Sequence, residues 1–324
     1  MRRSSRSPTI DDVARGLIVT AMHHTLFRDE SVLKPFHTYL SYMHYARTES
    51  GRYRNFMSYD RKWLETDGSD DSQGRVLWAL GYVVDHPPEG LSRQLCEQLF
   101  EQAVPVFESV GFMRSLAFAT LGCHYYLRRK PDASNIERFM RDVTEKIAAA
   151  FDANASDDWP WFEDEVTYEN GRIPQALILA GLQFKDEALI QLGCRTLDWL
   201  LQVQTAENGH ISIIGNDGWL QRGMPKAQFD QQPVEISGLI GACKAAYRAS
   251  GDTRYLKEMR RCFDWFLGTN DGGVSLIDFK SKGCYDGLLQ SGCNANQGAE
   301  SLLSWLLSLL TMHEMQSGDP TSAG

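Results

Sequence analysis

The chain has 324 residues, of which 43% are hydrophobic, enough apolar material for one large core or two modest ones. Its formal net charge is −9 and its pI about 5.4, so no basic field is present to offset phosphate repulsion, and a nucleic-acid partner is excluded. No apolar run approaches the ~18 residues that a membrane span requires.

The basic start, Met1-Arg2-Arg3-Ser4-Ser5-Arg6, is not followed by the apolar core of a secretory signal, because Asp11 and Asp12 interrupt the sequence before Leu17. Residues 1–8 read as a disordered, solvated tail, residues 9–315 as a single domain, and 316–324 as a second tail. Helical periodicity then recurs along nearly the whole domain, with almost no β-alternation. It predicts helices over 9–26, 30–47, 72–84, 91–109, 112–128, 132–152, 171–183, 185–204, 233–249, 254–268 and 296–313, with a twelfth short or hidden in 274–290. Thr9 before Ile10-Asp11-Asp12 reads as an N-cap followed by first-turn acids. Pro233 suits the first residue of its helix, and Asn296 reads as the cap of the last. Tyr247, Tyr255, Trp265, Phe266, Trp199, Trp305, Leu306, Leu309 and Leu310 stand at helical spacing and are assigned to the core.

The connections alternate in length. Short ones near 110–111, 129–132, 182–185 and 250–253 make antiparallel hairpins; long ones over 49–71, 153–170, 205–232 and 269–295 are rich in Trp, Tyr, Phe, Gly and Asp. About six hairpins with long loops at one end predict an all-α, (α/α)6 toroid around a central cleft. The seven cysteines have no CxxC spacing, so they read as reduced thiols of a cytoplasmic protein. Adjacent His23 and His24 diverge by about 100° on a helix and would not chelate one ion, and nothing calls for a metal or cofactor.

Acids beside flat aromatic rings suit a sugar site: rings stack on pyranose faces, while carboxylates bind hydroxyls or move protons. Such segments occur four times. Tyr59, Asp60, Arg61 and Trp63 lead to Asp70-Asp71-Ser72-Gln73-Gly74-Arg75, where Asp71 or Ser72 stands at a helix start, and Gly74 admits a ligand or another helix. Trp159-Pro160-Trp161-Phe162-Glu163-Asp164, with Tyr168, offers a stacking wall and a carboxylate cluster. Asn216-Asp217-Gly218-Trp219 precedes Asp230-Gln231-Gln232-Pro233, and Asp271, Tyr285 and Asp286 precede Asn296-Gln297 and Glu300. Each acid is also a plausible helix cap or turn residue. No nucleophile elbow or glycine-rich phosphate loop is present.

Several strings resemble motifs of a bacterial family: Phe56-Met57-Ser58-Tyr59-Asp60-Arg61, Asp71-Ser72-Gln73-Gly74-Arg75, Phe229-Asp230-Gln231-Gln232-Pro233, Trp265-Phe266-Leu267-Gly268-Thr269-Asn270-Asp271, Cys284-Tyr285-Asp286-Gly287-Leu288 and Asn296-Gln297-Gly298-Ala299-Glu300-Ser301. The family is a group of six-hairpin, glycosidase-like (α/α)6 proteins, similar to domains fused to, or encoded beside, glycosyltransferases and mannoside phosphorylases. The resemblance runs from about residue 50 onward and implies the toroid. Gln73 stands where the family's string would have His, and Asp70 where Glu is more usual.

The leading expectation is an inverting glycoside hydrolase acting on a soluble oligosaccharide, with two carboxylates about 6.5–9.5 Å apart. Asp164 or Glu163 is the candidate acid, and Asp71 or Asp230 the candidate base. Trp161, Tyr168 and Tyr285 would shape the subsites, and Gln231 and Gln297 would bind hydroxyls. Tyr59, Asp60, Arg61, Arg75, Asp271, Asp286 and Glu300 complete the substrate-binding set. A sugar epimerase or isomerase would need a histidine base, and among the long loops only His210 offers one. A non-catalytic glycan-binding partner of a glycosyltransferase is the third reading. All three need Asp71, Asp164, Asp230 and Asp286 to converge at one ring of helices.

Overall fold

The structure, a computed structural model, describes residues 9–317. The tail expected over 1–8, and all but the first two residues of that expected over 316–324, lie outside them. The chain forms two compact units, the first ending at Val143 and the second beginning at Thr144.

In the first unit, α1 (Ile10–Phe27), α3 (Asp70–Asp85) and α5 (Met113–Arg129) pack in succession, with α2 (Leu33–Ala46) against α1 and α4 (Gly90–Ala103) against α3. Thr9 caps α1 as expected: its Oγ1 accepts the Asp12 N–H at 3.2 Å. Odd and even helices differ in sequence for a physical reason. From Ser72 to Val84, α3 is buried on every side, so apart from Gln73 and Arg75 it is apolar or small all round, whereas α2 and α4 bury a single stripe. The α3–α5 approach depends on glycine. An ideal Cβ on Gly74 would lie 2.7 Å from the Ser115 Cα, and one on Gly81 would strike the Gly122 carbonyl. Gly74 therefore admits a helix.

α6 (Ser134–Asn154) carries the chain from one unit into the other. In the second unit, α7 (Arg172–Phe184), α9 (Pro233–Ser250) and α11 (Ala299–Gln316) pack in succession, with α8 (Glu187–Val203) on α7 and α9, and α10 (Arg254–Phe266) on α9 and α11. Pro233 opens α9, as its missing N–H allows. Tyr255, Trp265, Phe266 and Leu310 are buried as expected; Leu309 instead faces out at 40% exposure, because it falls off the stripe of α11 that carries Leu303, Leu307 and Leu310.

Eleven α-helices lie among the described residues, and the twelfth sought in 274–290 is not a helix. That segment makes two tight antiparallel hairpins, β3 (Ile277–Asp278) with β4 (Gly283–Cys284), and β5 (Leu288–Leu289) with β6 (Gly292–Cys293). Glycines at 272, 273, 283, 287 and 292 disfavour helix and suit turns. The other long loops of this unit are stitched as well. β1 (Glu165–Val166) pairs with β2 (Leu220–Gln221), and Gln231 bridges to Leu288. Two-residue strands carry no readable alternation, which is why the periodicity missed them.

Candidate functional site

Within each unit, the long loops gather at the N-terminal ends of the fully buried helices. In the first unit Ser69, not Asp71 or Ser72, caps α3, with its Oγ accepting the Ser72 N–H at 3.3 Å. Asp71 is thereby released for Arg75, whose Nε donates to Oδ2 at 2.7 Å. The guanidinium is 3% exposed and lies 4.4 Å from the Phe118 ring centroid. Asp11, which the sequence reading passed over as a first-turn acid, reaches within 4.0 Å of the same Nε. Burial raises the Asp11 carboxyl above its ordinary range; Arg75 and Arg15 oppose this, and Asp71 adds to it. Asp11, Asp71 and Arg75 thus form one charged cluster in which Arg75 serves as counter-ion.

Gln73 also has a defined task. Its Oε1 accepts the Tyr53 N–H at 2.8 Å and its Nε2 donates to the Tyr53 carbonyl at 2.9 Å, joining the preceding loop to α3. Tyr59, Asp60 and Arg61 lie apart from that cluster, on the tip of an exposed turn, where Tyr59 is 77% exposed. Asp60 accepts from Ser58 Oγ at 2.5 Å and pairs with Lys62 at 2.9 Å; these two contacts hold its carboxyl below the usual range.

In the second unit the loop around Trp219 folds back on Asp230: the Asn216 N–H donates to the Asp230 carbonyl at 2.9 Å, and the Asp217 N–H to that of Phe229 at 3.3 Å. Asp230 Oδ1 is buried with no hydrogen-bond partner among the described residues, packed where a Cβ on Gly287 would lie 2.5 Å away. Burial raises its carboxyl, and the charges of Asp286 and Asp217 push it further the same way. Asp286 has a different duty. It accepts from the Gly298 N–H and the Ser301 Oγ, each at 2.5 Å, and from Asn296 Nδ2. Asp286 therefore satisfies the N-terminus of α11, and Gly298, not Asn296, is the cap residue.

The structure brings Asp230 and Asp286 together and leaves Asp164 outside. Asp164 is 78% exposed, and its Oδ1 lies 3.4 Å from Arg222 Nε beside the β1–β2 pairing. A carboxylate so solvated is not held in an acid cluster with Glu163. Trp161 is fully buried against Phe162 and Trp199, so it braces the loop and offers no stacking face. Trp159 is likewise inside, donating its indole N–H to the Glu163 carbonyl at 2.8 Å. Tyr168 and Trp219 are both half-buried, with ring centroids 6.5 Å apart and planes tilted by 44°.

Gln231 is buried and fully employed: it receives the Trp265 indole N–H at 2.9 Å, and it donates to the Gln228 carbonyl at 2.8 Å and to Asp271. It cannot bind hydroxyls without breaking these bonds. Asp271 is a hub and not merely a turn residue, receiving His210 Nε2 at 2.9 Å as well. Burial tends to raise the Asp271 carboxyl, but hydrogen bonds from Ser212, His210 and Gln231 outweigh it and leave the group below its ordinary range. Gln297 bonds Ser281 and Asp278 on the exposed edge of the β3–β4 hairpin, Glu300 is exposed in the first turn of α11, and Tyr285 is half-buried.

Sequence reasoning also missed Glu235. It is 2% exposed in the first turn of α9 and bonded to Asn170, and burial, aided by Glu169, pushes its carboxyl up to about 7. A first-turn Glu reads as a dipole partner, and no signal in the sequence announces its burial. Among the described residues, no group of three or more His, Cys, Asp or Glu is placed to hold a metal ion. No described helix is long and apolar enough to cross a membrane.

No protein-family model matches the sequence, and no curated protein matches it significantly. Solved structures do match. The chain superposes on a cellobiose 2-epimerase from Spirochaeta thermophila with a TM-score of 0.72 at 11% identity, covering 97% of this chain and 87% of the other. A D-mannose isomerase gives 0.68 at 11% identity, covering 95% and 88%. A GH76 α-mannanase from Bacteroides thetaiotaomicron gives 0.67 at 9% identity, covering 97% and 89%. The fold is therefore all-α, the (α/α)6 toroid of six-hairpin glycosidase-like proteins.

Proposed function

We propose that the protein is a carbohydrate-active enzyme, an inverting glycoside hydrolase acting on a soluble oligosaccharide. Asp230 carries the reading. A carboxyl that burial and two neighbouring acids hold towards its protonated form is suited to deliver a proton to a leaving glycosidic oxygen. Its Oδ1 is buried and unpartnered, which adds to the cost of the charged form. Tyr168 and Trp219 supply the stacking surface, and Asp286 stands beside the acid while its side chain satisfies the N-terminus of α11. Glu163 and Asp164, in the same unit, remain the candidates for the carboxylate that activates water.

A second reading, a sugar epimerase or isomerase, is favoured by His210. A carboxylate at 2.9 Å from its Nε2 orients the ring, the arrangement expected of an imidazole that moves protons. The structural likeness to epimerases and mannanases alike supports both readings. We further infer a cytoplasmic setting, supported by seven unpaired thiols, and an association with a glycosyltransferase, which rests on the family resemblance.

The test is product analysis on purified protein, with manno- and cello-oligosaccharides. A hydrolase releases new reducing ends and adds the mass of water; an epimerase leaves mass unchanged and alters the sugar. Saturable binding with neither product over long incubation would establish a non-catalytic glycan binder.

A further inference from the structure

Tyr168 stands in a turn that a buried carboxylate holds from the neighbouring helix. Glu235, at the start of α9, receives the Glu169 N–H on Oε1; on Oε2 it receives Asn170 Nδ2 at 2.9 Å and the Asn170 N–H at 3.4 Å. Asn170 Nδ2 also donates to the Thr167 carbonyl at 2.8 Å, closing a turn with Tyr168 and Glu169 inside it. Glu169 has φ +51°, a left-handed conformation that a non-glycine residue keeps only when its surroundings hold it. Gly171 seats this segment directly on α9, for a Cβ there would lie 2.5 Å from the Gly238 carbonyl carbon. Arg172 completes the frame, donating to Glu169 Oε2 at 3.0 Å, Gln175 at 2.9 Å and Ser237 Oγ at 3.2 Å. Glu169, Asn170, Arg172 and Glu235 are all buried, while Tyr168 between them is half-buried and turned to Trp219.

We propose that Glu235 is a positioning residue of the sugar site, whose carboxylate fixes the 167–171 turn so that Tyr168 is presented beside Trp219 as the stacking surface. The ligand class, a pyranose ring, rests on the function proposed above; the clamp does not. An acid suits 235 because three N–H groups converge on it, and its ionised form, present above about pH 7, offers acceptors alone. Glu235→Gln keeps the volume but turns an amide N–H toward those donors.

Two measurements on the full-length protein decide the matter. In Glu235→Gln, amide hydrogen exchange over 167–171 rises at least about tenfold while α8 and the rest of α9 keep their protection. With an oligosaccharide that the wild type turns over, KM rises about tenfold and kcat stays within about twofold, and Tyr168→Ala reproduces that split. The double variant is no worse than Tyr168→Ala alone, because Glu235 acts through Tyr168. Unchanged exchange over 167–171, or additive losses in the double variant, would overturn the proposal. If Glu235→Gln does not fold, Asn170→Ala removes one donor of the same clamp and is read in the same way. If the wild type turns over no sugar, the hydrolase reading fails by itself; the exchange experiment and calorimetric titration with mannobiose then test the clamp, and equal mannobiose affinity in wild type and Glu235→Gln counts against it.

Discussion

Two acids stand near the N-terminal ends of buried helices, Asp71 in the first turn of α3 and Asp230 just before α9, yet their surroundings are opposite. Asp71 shares a buried arginine with Asp11. Asp230 has other acids for company: burial raises its carboxyl first, and the charges of Asp286 and Asp217 add to it. An acid with a cation is committed to holding structure or charge. An acid among acids is poised to exchange a proton, because its charged form is the costly one. Position at a helix end is the same in both cases, and the neighbours decide the chemistry.

The sharpest way to break this comparison is Asp230→Asn. Turnover of an unactivated oligosaccharide is expected to fall by about 10²–10⁴-fold, the usual worth of a general acid. An aryl glycoside with a good leaving group should be spared, since it needs no proton. Thermal unfolding should stay level or rise, because the charge that burial and two neighbouring acids disfavour is removed. Equal losses on both substrates would take the acid role from Asp230. As activity requires the protonated form, the rate should decline as pH rises through the elevated carboxyl range.

Arg75→Ala probes the other member of the pair. It strands Asp71 and Asp11 without their shared cation, and unfolding in denaturant should show a loss of about 3–5 kcal/mol. A loss under about 1 kcal/mol would mean that solvent already screens the cluster.

Glu235 offers a pH test of the same rule. Its carboxyl is lifted from 4.5 to about 7, chiefly by burial and then by Glu169, so the folded state holds a proton that the unfolded chain has released. Stability from this group is fully present below pH ~4.5 and is lost as pH rises through ~7, on the order of 3 kcal/mol in all. The wild-type unfolding free energy minus that of Glu235→Gln should therefore fall across that window. A flat difference would show that the unfolded chain and the fold bind this proton alike. The smallest effect is expected from Asp164→Asn: at 78% exposure it should leave the melting temperature unchanged, and wild-type turnover would remove it from the catalytic candidates.

Some of this was legible in the chain and some was not. Eleven helices could be placed because burying a helix all round, as in α3, or along one stripe, as in α4, writes itself into the order of apolar residues. Thr9 and Pro233 marked helix starts through local backbone chemistry. The hairpins of 277–293 were hidden because two-residue strands leave no period. The site residues divided on the same line. Trp161 and Gln231 have the right chemistry but are enclosed, and nothing local distinguishes an enclosed Trp from a presented one.

The sequence by itself determined the helical class, the alternation of short and long connections, and the supply of acids and aromatic rings to the long loops, all of which depend on neighbours along the chain. Only the tertiary structure decided that Arg75 serves Asp71 and Asp11, that Asp286 caps α11 and lies beside Asp230, and that Glu235 grips the turn bearing Tyr168. Partners 65 residues apart, such as Asn170 and Glu235, meet through helix packing, and a carboxylate's protonation follows from what surrounds it in space.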